Sequence, residues 1–102
     1  MPGRLRVPSL SGKESVILDL LVRKGELYGL QLVAASKRQL KRGTVYVTLG
    51  RMEAKGYITS RLDDPSPESG GPPRRLYRPT ALGRRVLAAW TDVVRRLVPE
   101  FG

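Results

Sequence analysis

Leu40-Lys-Arg-Gly-Thr-Val-Tyr-Val-Thr-Leu-Gly-Arg-Met-Glu-Ala-Lys-Gly56 is the stretch around which the rest of this chain is arranged. Its apolar side chains recur at helical spacing, so one face of a helix would be buried. The residues on that face are Val45, Leu49 and Met52. Thr44 is a candidate N-cap, because its hydroxyl can accept a hydrogen bond from a first-turn backbone N–H. Gly56 is a candidate ending, since glycine adopts the left-handed conformation that terminates many helices.

A second stripe of this predicted helix is polar and cationic. It consists of Thr44, Thr48, Arg51 and Lys55, which share a face at helical spacing. Short hydroxyls and long cations are what a helix needs to contact bases and phosphates in a DNA major groove. The alternative is an ordinary amphipathic helix with a solvated basic face, and the pattern of this helix alone does not distinguish the two interpretations.

The charge of the whole chain indicates a polyanionic partner. Among 102 residues, 19 are Lys or Arg and nine are Asp or Glu, which gives a net charge of +10 and a pI near 10.9. Such a surplus of cations favours nucleic acid first and an anionic membrane surface second. The length allows one domain with a modest core, whose stability can depend on a second copy.

Composition also excludes several kinds of site. The chain has no cysteine and no histidine, so it lacks the commonest metal ligands and the commonest general base. We expect no metal, no cofactor and no catalytic residue. A rival enzyme function has only carboxylates and lysines as candidates, and it is weak because Asp63 and Asp64 lie in a flexible, glycine-rich loop. No apolar run reaches the roughly 20 residues that span a bilayer. Residues 1–6 lack a signal-peptide core, so a cytoplasmic protein is expected.

Two shorter helices are predicted before the helix at Thr44. Ser11-Gly-Lys-Glu14 has the spacing of a capping box, and the helix that it opens would end at Gly25. A second helix opens at Leu27-Tyr-Gly29 and runs out in residues 36–39. Only a tight turn separates it from the next helix, which is the helix-turn-helix pattern.

After Gly56 the pattern changes to a β-hairpin. Residues 57–62 and 74–78 carry β-branched or aromatic side chains in rough alternation, and proline and glycine dominate residues 63–73 between them. Such a hairpin would form a wing with an acidic tip and arginines at its base. The alternative is a linker between two domains, although too little chain follows for a second domain.

The last helix is predicted from Thr80 to about Val98, and its apolar stripe is broader than a small domain needs. A two-fold dimer packed through this helix would bury the surplus and set two recognition helices roughly 34–36 Å apart, one turn of DNA. The predicted dimer seam consists of Leu87, Trp90, Val94 and Leu97. The alternative is that Trp90 packs within its own protomer.

These segments predict a mainly α-helical protein with a small β-hairpin. Residues 1–10 would be a basic N-terminal arm, 11–79 a winged helix-turn-helix DNA-binding domain with its wing at about 57–79, and 80–102 a C-terminal dimerisation helix. The expected partners are double-stranded DNA and a second copy of the chain. The candidate DNA contacts are Thr44, Tyr46, Thr48 and Arg51 in the groove, and Lys37, Lys41, Arg42, Arg74 and Arg75 at phosphates. Tyr46 could equally pack against the hairpin.

Three runs of the chain, together with the position of Trp90, resemble the PadR-like transcriptional regulators. The runs are residues 17–32, residues 43–58, and Arg75-Leu-Tyr-Arg-Pro-Thr-Ala-Leu-Gly83. Val47 and Gly50 depart from the family, in which many members have proline and a charged or polar residue at these positions. The resemblance implies a bacterial winged-helix repressor of the short class, in which the last helix builds the dimer. It also implies a small flat aromatic effector at Trp90, with simple packing as the alternative role for that residue.

The function predicted from these observations is a sequence-specific transcriptional regulator that represses at a pseudo-palindromic operator as a homodimer. One rival class stays open, a winged-helix module that binds another protein and whose basic charge is incidental. A gel-shift titration against genomic fragments separates the two, because no sequence preference at any salt concentration favours the rival.

Overall fold

The structure is a computed structural model, and it describes residues 10–63 and 70–97. Three predictions fall outside the described residues. They concern most of the N-terminal arm (1–9), the acidic tip of the wing (64–69) and the end of the last helix (98–102). Leu10, the last residue of the predicted arm, is 5% exposed and packs in the hydrophobic core.

Helices dominate the described part of the chain, and a small sheet accompanies them. In chain order the elements are α1 (Gly12–Lys24), β1 (Leu27–Tyr28), α2 (Gly29–Ala35), α3 (Val45–Ala54), β2 (Ile58–Asp63), β3 (Arg74–Pro79) and α4 (Ala81–Leu97). The predicted mainly helical fold with a β-hairpin and a C-terminal helix is confirmed. None of the helices in these ranges is long and apolar enough to cross a membrane.

The start of α1 is fixed by the predicted capping box. The Glu14 backbone N–H donates to Ser11 Oγ at 3.2 Å, and the Ser11 N–H donates to Glu14 Oε1 at 2.9 Å. At the other end, the Gly25 N–H donates to the Leu21 carbonyl at 2.7 Å. Both ends of α1 are therefore set by local sequence, and its buried face lies in the middle of the core.

The predicted apolar stripe of α3 is buried, and the helix ends at the predicted glycine. The three residues of the stripe are at most 1% exposed. Gly56 has a φ of +81°, and its N–H donates to the Glu53 carbonyl while the Tyr57 N–H donates to the Met52 carbonyl, each at 3.0 Å. This pair of hydrogen bonds is the Schellman ending that a left-handed glycine permits.

The start of α3 differs from the prediction. Thr44 occupies the N-cap position, but its side chain makes no capping hydrogen bond and its ψ is −13° rather than extended. The Val45 N–H instead donates to the Lys41 carbonyl at 2.9 Å. The prediction of a threonine side-chain cap is therefore wrong, because the backbone at Thr44 lacks the extended conformation in which an N-cap side chain reaches the N–H groups of the first turn.

In the part of the chain that the structure describes, the sheet has three antiparallel strands in the order β1–β3–β2. The β2–β3 hairpin is the predicted wing, whereas β1 is an element that the sequence pattern does not predict. Because side chains alternate across a strand, Ser60 and Arg75 lie on the same face as the buried residues Ile58 and Tyr77. This face of the wing is therefore continuous with the face that packs on the core.

The N-terminal end of α4 is attached to the end of α3. The Thr80 hydroxyl donates to the Gly56 carbonyl at 2.6 Å and accepts from the Gly83 N–H at 3.0 Å. Gly83 and Val86 are buried, whereas residues 91–97 are all exposed. The first half of α4 therefore packs on the domain, and the second half is exposed.

Candidate nucleic-acid interface

The outward face of α3 is centred on small and apolar residues. With about 100° of rotation per residue, Val47 and Ala54 lie opposite the buried stripe, and Gly50 lies beside them. Val47 is 57% exposed, and Gly50 and Ala54 are also exposed. The polar stripe predicted from the sequence is therefore one flank of the exposed face rather than its middle.

That polar flank of α3 lies beside the start of α1. The cleft between the two helices is lined by Ser11, Lys13, Glu14, Thr44, Val47, Thr48 and Arg51. The structure thus brings three of the four predicted groove residues together and adds the exposed cation Lys13. Sequence reasoning missed Lys13, because nothing near it in the chain distinguishes it from any other surface lysine.

Lys55, the last residue of the predicted polar stripe, turns toward α1. Its Nζ is 2.8 Å from Glu14 Oε2, and it lies 5.6 Å from the centroid of the Tyr57 ring. Burial alone would raise the pKa of the Glu14 carboxyl, but the hydrogen bonds from Lys55 and Ser11 lower this pKa below its ordinary value. The interpretation of Lys55 as a groove-facing cation is therefore wrong, since a carboxylate that is 4% exposed needs a partner.

Tyr46 lies on the other flank of α3, toward the wing. Its ring covers Gly29 at the start of α2, where an added methyl group would lie 2.5 Å from the ring. Tyr46 is nevertheless 50% exposed, and it lines a cleft with Pro72, Pro73 and the two wing arginines, which lie at the loop end of the hairpin rather than at its base. The residue therefore packs toward the wing and keeps about half of its surface free.

The two wing arginines lie on opposite faces of the sheet. The Arg75 guanidinium donates to Ser60 Oγ at 3.0 Å, and the Ser60 hydroxyl donates to Glu53 Oε2 of α3 at 2.7 Å. Arg74 lies on the other face, 5.2 Å from the centroid of the Tyr28 ring. Arg75 is thus the wing cation that the sheet directs toward α3.

A network of side chains holds the outer end of the wing strands, next to the tip, to the segment between α1 and α2. The Tyr28 hydroxyl donates to Asp63 Oδ2 at 2.6 Å, and this hydrogen bond raises the pKa of Tyr28. Arg61 donates from Nε and Nη2 to the Glu26 carboxylate, each at 3.2 Å, which raises the pKa of Arg61. The orientation of the wing is therefore set by the body of the domain as well as by the hairpin.

The predicted cations of the turn before α3 fall into two places. Lys41 and Arg42 are exposed and directly precede α3. Lys37, which has a φ of +54°, lines a separate cleft with Arg23 and Lys24 at the end of α1. The structure therefore groups Lys41 and Arg42 with α3, and Lys37 with α1.

The predicted dimer seam lies on one face of α4 and becomes more exposed toward the C-terminal end. Leu87 and Trp90 are half-buried and pack against the core, whereas Val94 is 40% and Leu97 is 75% exposed. A cleft of about 330 Å³ between α1 and α4 is lined in part by Leu87, Trp90 and Val94. Trp90 therefore packs partly within its own protomer, and the apolar face continues beyond it.

A helix-turn-helix followed by a β-hairpin wing, with cations on both sides of an exposed α3, defines a winged helix-turn-helix protein. Among the described residues no cluster of His, Cys, Asp or Glu could hold a metal ion. The sequence model of the Transcriptional regulator PadR-like family matches residues 17–89. This match spans well over half of the chain, so the chain belongs to the PadR-like family of transcriptional regulators.

Solved structures of PadR regulators are similar to this chain over most of its length. The PadR family transcription regulator of Clostridium difficile R20291 is 25% identical, with a TM-score of 0.73 over 89% of this chain and 98% of that one. The regulator from Eggerthella lenta DSM 2243 is 27% identical, with a TM-score of 0.70 over 86% of this chain and 79% of that one.

The similar structures include one that contains DNA. Bacillus subtilis PadR in complex with operator DNA is 26% identical, with a TM-score of 0.71 over 82% of this chain and 48% of that one. No curated protein sequence matches the chain closely enough to count as a relative. The family and these structural neighbours are transcriptional regulators rather than enzymes.

Proposed function

We propose that this chain is a homodimeric, sequence-specific DNA-binding regulator that represses transcription from a pseudo-palindromic operator in the cytoplasm. The observation that carries this proposal is the arrangement of α3, which buries one face completely and exposes the other between cations of α1 and of the wing. The similarity of the chain to a PadR protein whose structure contains operator DNA supports the same partner.

The proposed base contacts are on α3, and the proposed phosphate contacts surround it. Thr44, Tyr46, Thr48 and Arg51 face the major groove, where hydroxyl and guanidinium groups reach the edges of bases. The phosphate contacts are Lys41, Arg42 and Arg75, to which we add Lys13 because it lines the cleft at the polar flank of α3. Lys37 and Arg74 are proposed as weaker phosphate contacts, since Lys37 lines a separate cleft and Arg74 lies on the other face of the wing. Their charge positions the domain on the duplex, and the α3 side chains supply the sequence preference.

The second half of α4 is the proposed dimer interface. Its apolar face continues past the protomer's own core, so a second copy related by a two-fold axis would cover Val94 and Leu97. Such a pair would present two α3 helices to successive major grooves, roughly 34–36 Å apart. The operator would then have two similar half-sites in opposite orientation.

A small flat aromatic effector is proposed to bind beside Trp90. The cleft there, about 330 Å³, falls at the small end of the range for ligand sites. Because Trp90 is the only tryptophan of the chain, its fluorescence reports binding without interference from another tryptophan. Quenching by a panel of planar aromatic compounds, followed by release of the operator, would support this effector, whereas no quenching would remove it from the proposal.

The experiment that tests the proposed function is selection of bound genomic fragments, followed by gel-shift titration of the enriched sequence. Arg51→Ala is expected to lower operator affinity by about 10-fold or more, since a good base contact contributes roughly 1–3 kcal/mol, and to lower non-specific affinity much less. Equal loss on both kinds of DNA would make Arg51 a phosphate contact. Absence of any preferred fragment at any salt concentration would favour a winged-helix module that binds another protein.

A further inference from the structure

The middle of the exposed face of α3 lacks groups that could form hydrogen bonds with base edges. Val47 is 57% exposed, and Gly50 and Ala54 accompany it. The candidate donors Tyr46 and Arg51 lie on the two flanks. If α3 enters a major groove, the part of the helix that comes nearest the base pairs is therefore apolar.

Neither Val47 nor Gly50 is explained by the packing of the protein itself. Val47 points away from the core. A methyl group added at Gly50 would meet nothing within 4 Å, and the φ of Gly50 is not positive. Glycine weakens a helix relative to alanine, so the domain would be no worse with a side chain at position 50. An external surface that approaches α3 closely is a reason to keep this position bare.

We propose that Val47 reads the 5-methyl group of a thymine in each half-site, and that the bare backbone at Gly50 lets the base edge approach. This inference rests on the DNA-binding function proposed above. In the major groove the thymine methyl is the distinctive apolar feature of a base pair, whereas the other features are hydrogen-bond donors and acceptors. A valine can gain from burying that methyl group but can satisfy none of the polar features.

The direct test replaces each thymine of the selected operator, one symmetric pair at a time, with deoxyuridine. Deoxyuridine pairs as thymine does and lacks only the methyl group. We expect one pair of positions at which the affinity falls about fourfold per half-site, or about 15-fold for both, which is the fold-change for losing one buried methyl-sized group. Deoxyuridine in the DNA that flanks the operator should have no effect.

The matching protein variant is Val47→Ala, which should fold normally because Val47 is exposed. We expect it to bind the thymine operator as weakly as the wild-type protein binds the deoxyuridine operator, and to lose nothing further on deoxyuridine. This non-additivity identifies a direct contact. Val22→Ala, the same change at a half-buried position of α1, should keep the full sensitivity to deoxyuridine.

The possible outcomes distinguish this inference from the proposed function. An operator that is bound specifically, but whose affinity changes at no thymine, would overturn the inference and leave the function standing. The same holds if Val47→Ala remains as sensitive to deoxyuridine as the wild-type protein. If no fragment is bound specifically, both the proposed function and this inference fail.

Discussion

At the scale of single residues, the Glu14–Lys55 pair shows how a buried charge redirects a side chain that the helical pattern alone would place outward. Glu14 is buried in the first turn of α1, where it completes the capping box and also pairs with Lys55. Removing Lys55 would leave this carboxylate without its cation. We expect Lys55→Ala to lower the free energy of unfolding by about 1–3 kcal/mol, less than for a fully buried pair because the Lys55 side chain is 38% exposed.

Lys41→Ala is the matched control for Lys55→Ala. Lys41 is exposed, so its removal should change the free energy of unfolding by less than about 0.5 kcal/mol. It should instead weaken DNA binding and reduce the dependence of affinity on salt. Urea unfolding and gel shifts of both variants would reveal the two patterns. A salt dependence lowered by Lys55→Ala, with stability intact, would contradict the structural role of Lys55.

The same pair predicts how stability depends on pH. Because the folded-state pKa of Glu14 lies below its ordinary value of 4.5, the pair stabilises the protein above that pH, and this contribution is lost as the pH falls through the folded-state pKa. Glu14→Gln keeps an oxygen for the capping box but cannot titrate. It should be less stable than wild type at neutral pH, with a difference that shrinks in acid. Urea unfolding curves from about pH 7 to about pH 3 measure this difference. A constant difference would mean that the charge of Glu14 does not matter.

Substitutions at Gly50 should change the stability of the protein and its affinity for DNA in different ways. Gly50→Ala should raise the free energy of unfolding by about 0.5–1 kcal/mol, because alanine is the better helix former and the added methyl group has open space. Gly50→Leu should also fold, but its side chain would hold the DNA away from α3, and operator affinity should fall at least 10-fold. Thermal unfolding and gel shifts measure the two effects. Wild-type affinity in Gly50→Leu would show that DNA does not approach this position.

At the scale of elements, the wing gives the clearest contrast between two neighbouring residues. Arg75 lies on the sheet face that turns toward α3, whereas Arg74 stacks on Tyr28 on the other face. Arg75→Ala should weaken binding to all DNA sequences similarly and reduce the log–log salt slope by about 1 per protomer. Arg74→Ala should change the slope less. Gel shifts at several salt concentrations measure both slopes. A larger change in slope for Arg74→Ala than for Arg75→Ala would mean that the other face of the wing contacts the DNA.

Most elements could be predicted from the sequence because their signals are local. The capping box at Ser11, the stripe of α3 and the glycine after it each depend on residues within one or two helical turns. β1 could not be predicted in this way, because two residues carry no periodicity and Leu27–Tyr28 becomes a strand only through pairing with β3.

The candidate site was less predictable than the fold, because its contacts join residues that are far apart in the chain. Lys55 is 41 positions from Glu14 along the chain, so no local pattern could reveal their ion pair. Lys13 joins α3 only through the packing of α1. The position of Val47 opposite the buried stripe follows from the helical rotation alone, but an apolar side chain carries no local signal that marks it as a DNA contact.

At the scale of the whole molecule, the face of α4 that is buried at Val86 continues to Leu97, which is 75% exposed. At about 100° per residue, Val86, Trp90 and Leu97 lie within one narrow sector of the helix. A domain of this size cannot cover the last of these residues with its own core. The continuity of this face is the physical reason to expect that a second copy packs against α4.

Leu97→Glu tests this expectation without disturbing the protomer, because Leu97 is exposed there. The variant should sediment as a monomer at concentrations at which the wild-type protein is a dimer, since a carboxylate buried in the seam would lack a partner. Ala88→Glu introduces the same charge at an exposed position on the opposite side of α4 and should remain dimeric. Two protomers that each neutralise about four phosphates give a log–log salt slope near −7, and a monomer should show about half of that. A wild-type slope near the monomer value, with sedimentation unchanged in Leu97→Glu, would mean that α4 does not join two copies on the DNA.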